Sequence, residues 1–296
     1  MRHTSEEQEY MTFITSEHRL LDLHIGETLH YKDLILLFVK RDFISKYKQT
    51  LLGPAWALIQ PLLSAAVHAL VFGGLAGLTT ADTPGNYVLP GFLFYFAGSV
   101  CWTYFAGTLQ TVSATFLTNA GVMGKVYYPR IVAPIASALS HLISFAIQFA
   151  LLALLCTFYL IRGGTSLSVS PKLLLLPLTV LQMMLLGIGL GTIVSSVTTK
   201  YRDLQMLVSF GLQLWQYASP ITYGLTLVSA GRWKSLMGIY LLNPMTPVVT
   251  TFRYALFGFG YFNLTYYLCG WGITILVFFL GLVMFSKIER TFMDTI

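Results

Sequence analysis

The chain has 296 residues, 55% of them hydrophobic and only 10% charged, with a formal net charge of +6. A soluble domain carries about 25% charged residues, so this composition excludes one and indicates an integral membrane protein. Eight of the twelve acidic residues precede Phe43, and only Asp82 and Asp203 fall between Phe43 and Ser286. That scarcity fits a cost of about 2.5–3.5 kcal/mol for each charge at mid-bilayer. The positive balance reflects anionic lipid head groups rather than nucleic acid.

Residues 1–30 are polar and acidic, with no short apolar stretch behind a basic start, so no cleavable signal peptide is expected. Tyr31–Thr50 carries apolar residues at 31, 34, 35, 38, 39, 43 and 47, close to helical spacing. Lys32, Lys40, Arg41, Lys46 and Lys48 supply a basic side. The expectation is an amphipathic helix over 31–52 lying in the membrane interface; a helix of a small soluble domain is the alternative. The sequence changes solvent at Gly53-Pro54, because Gln49–Ala81 is 33 residues without a charge. Proline is suited to start a helix, so a bend from the membrane plane into the bilayer is placed there.

Six uncharged stretches follow, at about 55–78, 92–116, 131–161, 173–197, 204–227 and 266–285. Each reaches the roughly 20 residues that a span needs. With six spans, 13 of the 18 Lys and Arg fall on the side of both termini, which the positive-inside rule makes cytoplasmic. A seventh span within Ser235–Phe252 is argued against by Asn243-Pro244 and Thr246-Pro247. Two short helices, about Lys234–Leu242 and Pro247–Phe257, are expected instead. They would form a hairpin (232–258) that dips into the outer leaflet as a candidate gate. Gly73/Gly77 and Gly187/Gly191 are spaced for close helix approach.

Catalytic patterns are missing. The spans hold His68 and His141 but no carboxylate, and each histidine reads as a packed, hydrogen-bonded group. No zinc-protease or nucleophile-elbow motif occurs. Gly121–Val126 only superficially resembles a phosphate-binding loop, since Val126 stands where Ser or Thr is required. Cys101, Cys156 and Cys269 are scattered in apolar runs and read as core fillers. The spans are instead rich in aromatics with some amides, as in Tyr95, Trp102, Tyr104 and Phe105, and then Phe210, Gln213, Trp215, Gln216, Tyr217 and Tyr223. Aromatic faces with amide partners suit sugar rings; simple packing is the competing reading. A kink is expected at Ser219-Pro220.

Five segments together resemble the ABC-2 type permeases that export polysaccharides. They are Arg41–Pro61, Lys125-Val-Tyr-Tyr-Pro-Arg130, Tyr201-Arg-Asp203, Ser219-Pro-Ile-Thr-Tyr223, and Asn243-Pro-Met-Thr-Pro247 with Phe252-Arg-Tyr254. The match runs from about Asp22 to Arg290 and is most similar to the lipopolysaccharide O-antigen permeases. The resemblance implies an all-α, six-span exporter of the ABC-2 (type V) fold over 53–296, in the bacterial inner membrane. It implies a homodimer docked on two ABC ATPase subunits, with ATP and Mg held there and no cofactor or metal on this chain. The substrate implied is an undecaprenyl-linked glycan. Residues in the channel would be Trp56, Tyr104, Phe210, Gln213, Trp215, Tyr217 and Tyr223. Arg41, Lys46 and Lys48 would attract the lipid pyrophosphate. Asn119, Gly124, Lys125, Tyr127, Tyr128 and Arg130 would couple to the ATPase, and Asn243, Pro244, Pro247 and Arg253 would form the gate. Capsule or teichoic acid export, export of drugs or small lipids, and a membrane glycosyl or acyl transferase are the alternatives.

Overall fold

The charge boundary at Gly53 is where the chain turns. In the computed structural model, which describes residues 31–75, 89–123, 128–162, 171–199, 201, 203–230 and 237–292, helix α1 (Lys32–Tyr47) ends before it. The sequence places that end near Leu52; the chain leaves the helix earlier because Lys48 is already extended. Gln49 and Gly53 then both take left-handed backbone, with φ of 62° and 52°, a conformation in which glycine is at ease and glutamine is not. A 3-10 turn (Gly53–Ala55) with Pro54 in its first turn leads into α2 (Trp56–His68), which runs on through a π-helical segment, Ala69–Leu75. The apolar set of α1 turns inward. Phe38 and Val39 pack with Phe116, Tyr128, Val132, Ala136 and Phe285, while Leu36, Leu37 and Ile44 stay exposed.

At the centre stands α3 (Gly91–Ser113), buried along most of its length. After a turn at Ala114 comes α4 (Thr115–Met123), then the long α5 (Val132–Ile161). Next are α6 (Leu175–Thr198), entered through a 3-10 turn at Pro171–Leu174, and α7 (Leu204–Tyr217). Three shorter helices, α8 (Leu225–Ala230), α9 (Met237–Leu242) and α10 (Met245–Phe257), precede the final α11 (Leu264–Phe292). Small residues set the helix spacing. A Cβ on Gly187 would meet Thr108, and one on Gly191 would meet Val112 at 2.6 Å, so this glycine pair seats α6 on α3 within the same chain. Gly189 and Gly281 likewise let α6 and α11 touch through their backbones.

Among the described residues five helical stretches are long and apolar enough to cross a membrane: Gly53–Leu75, Gly91–Ser113, Val132–Ile161, Pro171–Thr198 and Leu264–Ile288. The expected span over 204–227 is not one continuous helix. The 14 residues of α7 extend about 21 Å, short of a hydrocarbon core of about 30 Å. The chain then runs without regular structure from Ala218 to Gly224. The kink expected at Ser219-Pro220 has opened into a break, because Pro220 has no N–H to continue the ladder and other segments take up the carbonyls it frees. The pair expected over 234–257 is present as α9 and α10, joined at Asn243-Pro244. Helix α10 is almost entirely buried, against α3, α6 and α11. Cys101 is buried but Cys269 is exposed, so the latter is not a core filler.

Candidate functional site

Five segments converge: the end of α1, the first turns of α2, the second half of α3, the middle of α5 and the second half of α7. Between them lies a cavity of about 560 Å³. Trp56, Trp102, Tyr104 and Phe145 give it aromatic walls. Gln60, Gln110, Gln148, Gln213 and Gln216 contribute amides, and Ser64, Thr103, Thr111, Ser144 and Ser209 contribute hydroxyls. Among the described residues its lining contains no carboxylate, and Lys46, from the last turn of α1, is the one lysine or arginine.

Local chemistry holds this lining in place. Pro61 cannot donate to the Ala57 carbonyl one turn earlier; the Gln148 amide donates to that oxygen instead, at 2.9 Å. One glutamine thus repairs the helix of α2 and ties it to α5. Tyr47 and Ser144 share a hydrogen bond of 3.2 Å, joining α1 to α5, and Gln110 donates to Ser209 across α3 and α7. His141 lies against Gly107, where a Cβ would come within 2.6 Å of the ring. Its Nδ1 sits 2.9 Å from the Ser137 carbonyl.

Of the residues singled out for a channel, Trp56, Tyr104 and Gln213 line this cavity. Phe210 and Tyr217 point from α7 to the outside of the monomer, at 59% and 58% exposure. Trp215 packs edge-on against Trp102 and Phe105, and its indole N–H donates to Asn243 Oδ1 at 2.9 Å. Tyr223 donates to the Tyr240 hydroxyl. Of the three basic residues, Lys46 is at the cavity, Lys48 is exposed at the turn, and Arg41 is engaged elsewhere. Its guanidinium meets Asp42 at 2.8 Å and donates to Asn119 Oδ1 at 3.0 Å. That bond joins two residues the sequence assigns to different tasks, tying α1 to α4. Tyr128 is buried beside Phe38; burial pushes its hydroxyl up, and Arg41 and Arg130 pull it part-way back. Gly124, Lys125 and Tyr127 lie outside the described residues.

Two of the residues expected at a gate, Asn243 and Arg253, clamp the break after α7. Arg253, 4% exposed, donates to the carbonyls of Phe94, Pro220 and Ile221 at 3.2, 2.6 and 2.7 Å, with its guanidinium over the Phe94 ring. Gly98 leaves room for it. Asn243 donates to Ala218 O and Ser219 Oγ while its Oδ1 accepts from the Met245 amide, opening α10. Pro247 packs on Gly270. Little in the sequence singles out Gln60, Gln110 and Gln148. The available signal is an amide in an apolar span, where an unpartnered polar group is costly.

Comparison with known proteins agrees with this architecture. A 231-residue stretch is 26% identical to an O-antigen export system permease protein RfbA of Myxococcus xanthus, covering 77% of this chain and 82% of that one. A protein of the same name from Klebsiella pneumoniae is 25% identical over 266 residues, 88% of this chain and 94% of its own length. The family model for the ABC-2 type transporter matches residues 33–257, from α1 to the end of α10. This multi-pass membrane protein belongs to the ABC-2 type transporter family.

Proposed function

We propose that the chain is the membrane subunit of an ATP-binding cassette exporter that moves a lipid-linked polysaccharide of the O-antigen class across the bacterial inner membrane. The observation that carries this is the cavity of about 560 Å³, walled by aromatics, amides and hydroxyls and, among the described residues, by no carboxylate. Sugars offer C–H faces to aromatic rings and hydroxyls to amides; an apolar drug uses neither the five glutamines nor the hydroxyls. The curated relatives named for O-antigen export narrow the class. Lys46 at the cavity, with Lys48 nearby, takes the anionic lipid pyrophosphate of an undecaprenyl-linked glycan.

The working unit is a homodimer on two ABC ATPase subunits, which bind ATP and Mg. Its contact surface is the open side of the monomer, where Leu63 and Val67 of α2 and Leu207, Phe210 and Leu214 of α7 are exposed. Helices α7 and α8 with the break between them make the sixth crossing, so both termini face the cytoplasm. Helix α4 and the following loop, tied to α1 through Asn119 and Arg41, transmit the power stroke. Helices α9 and α10 act at the outer end, where Asn243 and Arg253 hold the break.

The test is reconstitution with the ATPase subunit in vesicles. Lipid-linked polysaccharide is expected to raise ATP turnover and to reach the opposite leaflet, and the permease alone to hydrolyse none. Stimulation by drugs or short lipids but not by glycan overturns this reading.

A further inference from the structure

The cavity wall carries hydrogen-bond acceptors that an anion cannot satisfy. The Ala57 carbonyl only accepts, so the bond from Gln148 fixes that amide with its nitrogen on Ala57 and its Oε1 left over. Gln148 is 2% exposed, and its Oε1, itself buried just behind the cavity surface, has no hydrogen-bond partner among the described residues. His141 is oriented by the same logic. Its Nδ1 faces the Ser137 carbonyl at 2.9 Å and must carry the proton, which leaves Nε2 of the neutral ring as an acceptor. That atom lies 3.5 Å from the Thr111 hydroxyl, too long for a strong bond. Both side chains belong to the cavity wall, and Trp56, Trp102 and Tyr104 supply ring faces nearby.

A phosphate or carboxylate offers only acceptor oxygens and would meet lone pairs at Gln148 and His141. A sugar hydroxyl donates as well as accepts. From this we infer that Gln148 and His141 form a specificity subsite for an uncharged, hydroxyl-bearing sugar, the one next to the lipid diphosphate, while Lys46 takes the charge. The inference rests on the export reading above and adds to it that the chain selects its glycan by the first sugar. It also accounts for Lys46 standing without a second lysine or arginine among the described lining residues: another there would favour the bare lipid diphosphate over the glycosylated one.

The test uses the full chain in nanodiscs, with Trp56 and Trp102 as fluorescence reporters. The probes are a short-chain polyprenyl diphosphate, bare or carrying one neutral hexose. The native protein is expected to bind the glycosylated form about tenfold more tightly, the worth of one or two good hydrogen bonds. Gln148→Met is expected to bring that preference below about threefold, and Lys46→Gln to weaken both lipids alike. Because Gln148 also supports α2, His141→Phe provides a second, independent loss of acceptor, with thermal unfolding as a check on folding. A native-like preference in either folded variant, or equal binding of both lipids by the native protein, overturns the subsite. Failure of the native protein to bind either lipid overturns the export reading itself.

Discussion

The span Gly53–Leu75, which contains α2, and the span Gly91–Ser113, which is α3, are neighbours of equal length and opposite fate. Within the most apolar window, 78% of the residues in the Gly91–Ser113 span are buried by the protein, against 17% in the Gly53–Leu75 span. The more buried of the two is the less hydropathic. In water the reverse would hold. Lipid tails are as apolar as leucine, so apolar surface gives no drive to pack inward; close approach and hydrogen bonds do. Helix α3 supplies both, with Gly98 and Gly107 admitting Arg253 and His141, and its Phe94 carbonyl accepting from Arg253. Helix α2 offers leucine and valine outward and, with α7, leaves one side of the molecule open.

The contrast breaks most completely at Arg253. Arg253→Ala strands the buried Pro220 and Ile221 carbonyls, removes a second donor from Phe94 O, and is expected to cost about 3 kcal/mol or more. Lysine does not rescue it, because one ammonium does not reproduce the guanidinium fork. Thermal unfolding in detergent checks this, and a native melting temperature for Arg253→Lys would remove the clamp from the account. Next comes Gly281→Val. A side chain there runs into the Gly189 carbonyl and Thr192, with an expected loss of about 1–3 kcal/mol as α6 and α11 are forced apart.

Trp215→Phe sharpens the comparison, since it keeps a ring against Trp102 and Phe105 but deletes the donor to Asn243. A loss of about 1 kcal/mol is expected, read as lower stability. If instead stability holds and only glycan-stimulated ATP turnover falls, Trp215 belongs to the conduit. The smallest effect on the monomer is expected on the open side. Phe210→Ala with Leu214→Ala should change stability by no more than about 0.5 kcal/mol per site, yet reduce cross-linking between copies through a cysteine at Tyr217. Undiminished cross-linking would move the contact surface away from α7.

The sequence reported on the cavity and the clamp unequally. Trp56 came from the family resemblance, whereas Trp102, Tyr104, Gln213 and Gln216 were legible because aromatics and amides are conspicuous in an apolar run. Gln148 was not, because its role depends on Pro61 lying 87 positions earlier in the chain and on the carbonyl that this proline leaves unpaired. Arg253 read as a cation on a short outer-leaflet helix at a gate. Only the fold brings it to Pro220 and Ile221, where it accounts for two of the quoted segments, Ser219–Tyr223 and Phe252–Tyr254, acting together.

What the sequence determined by itself was the solvent of each segment. Charge spacing marked the bilayer boundary at Gly53 and the apolar runs of the five continuous spans, because the cost of a charge in hydrocarbon is local and needs no partner. Tertiary structure alone decided which helix is central, that the stretch after Tyr217 breaks, and which polar groups share one cavity. Those depend on hydrogen bonds and close contacts between residues far apart in the chain. An isolated segment contains the donor or the acceptor, but not both.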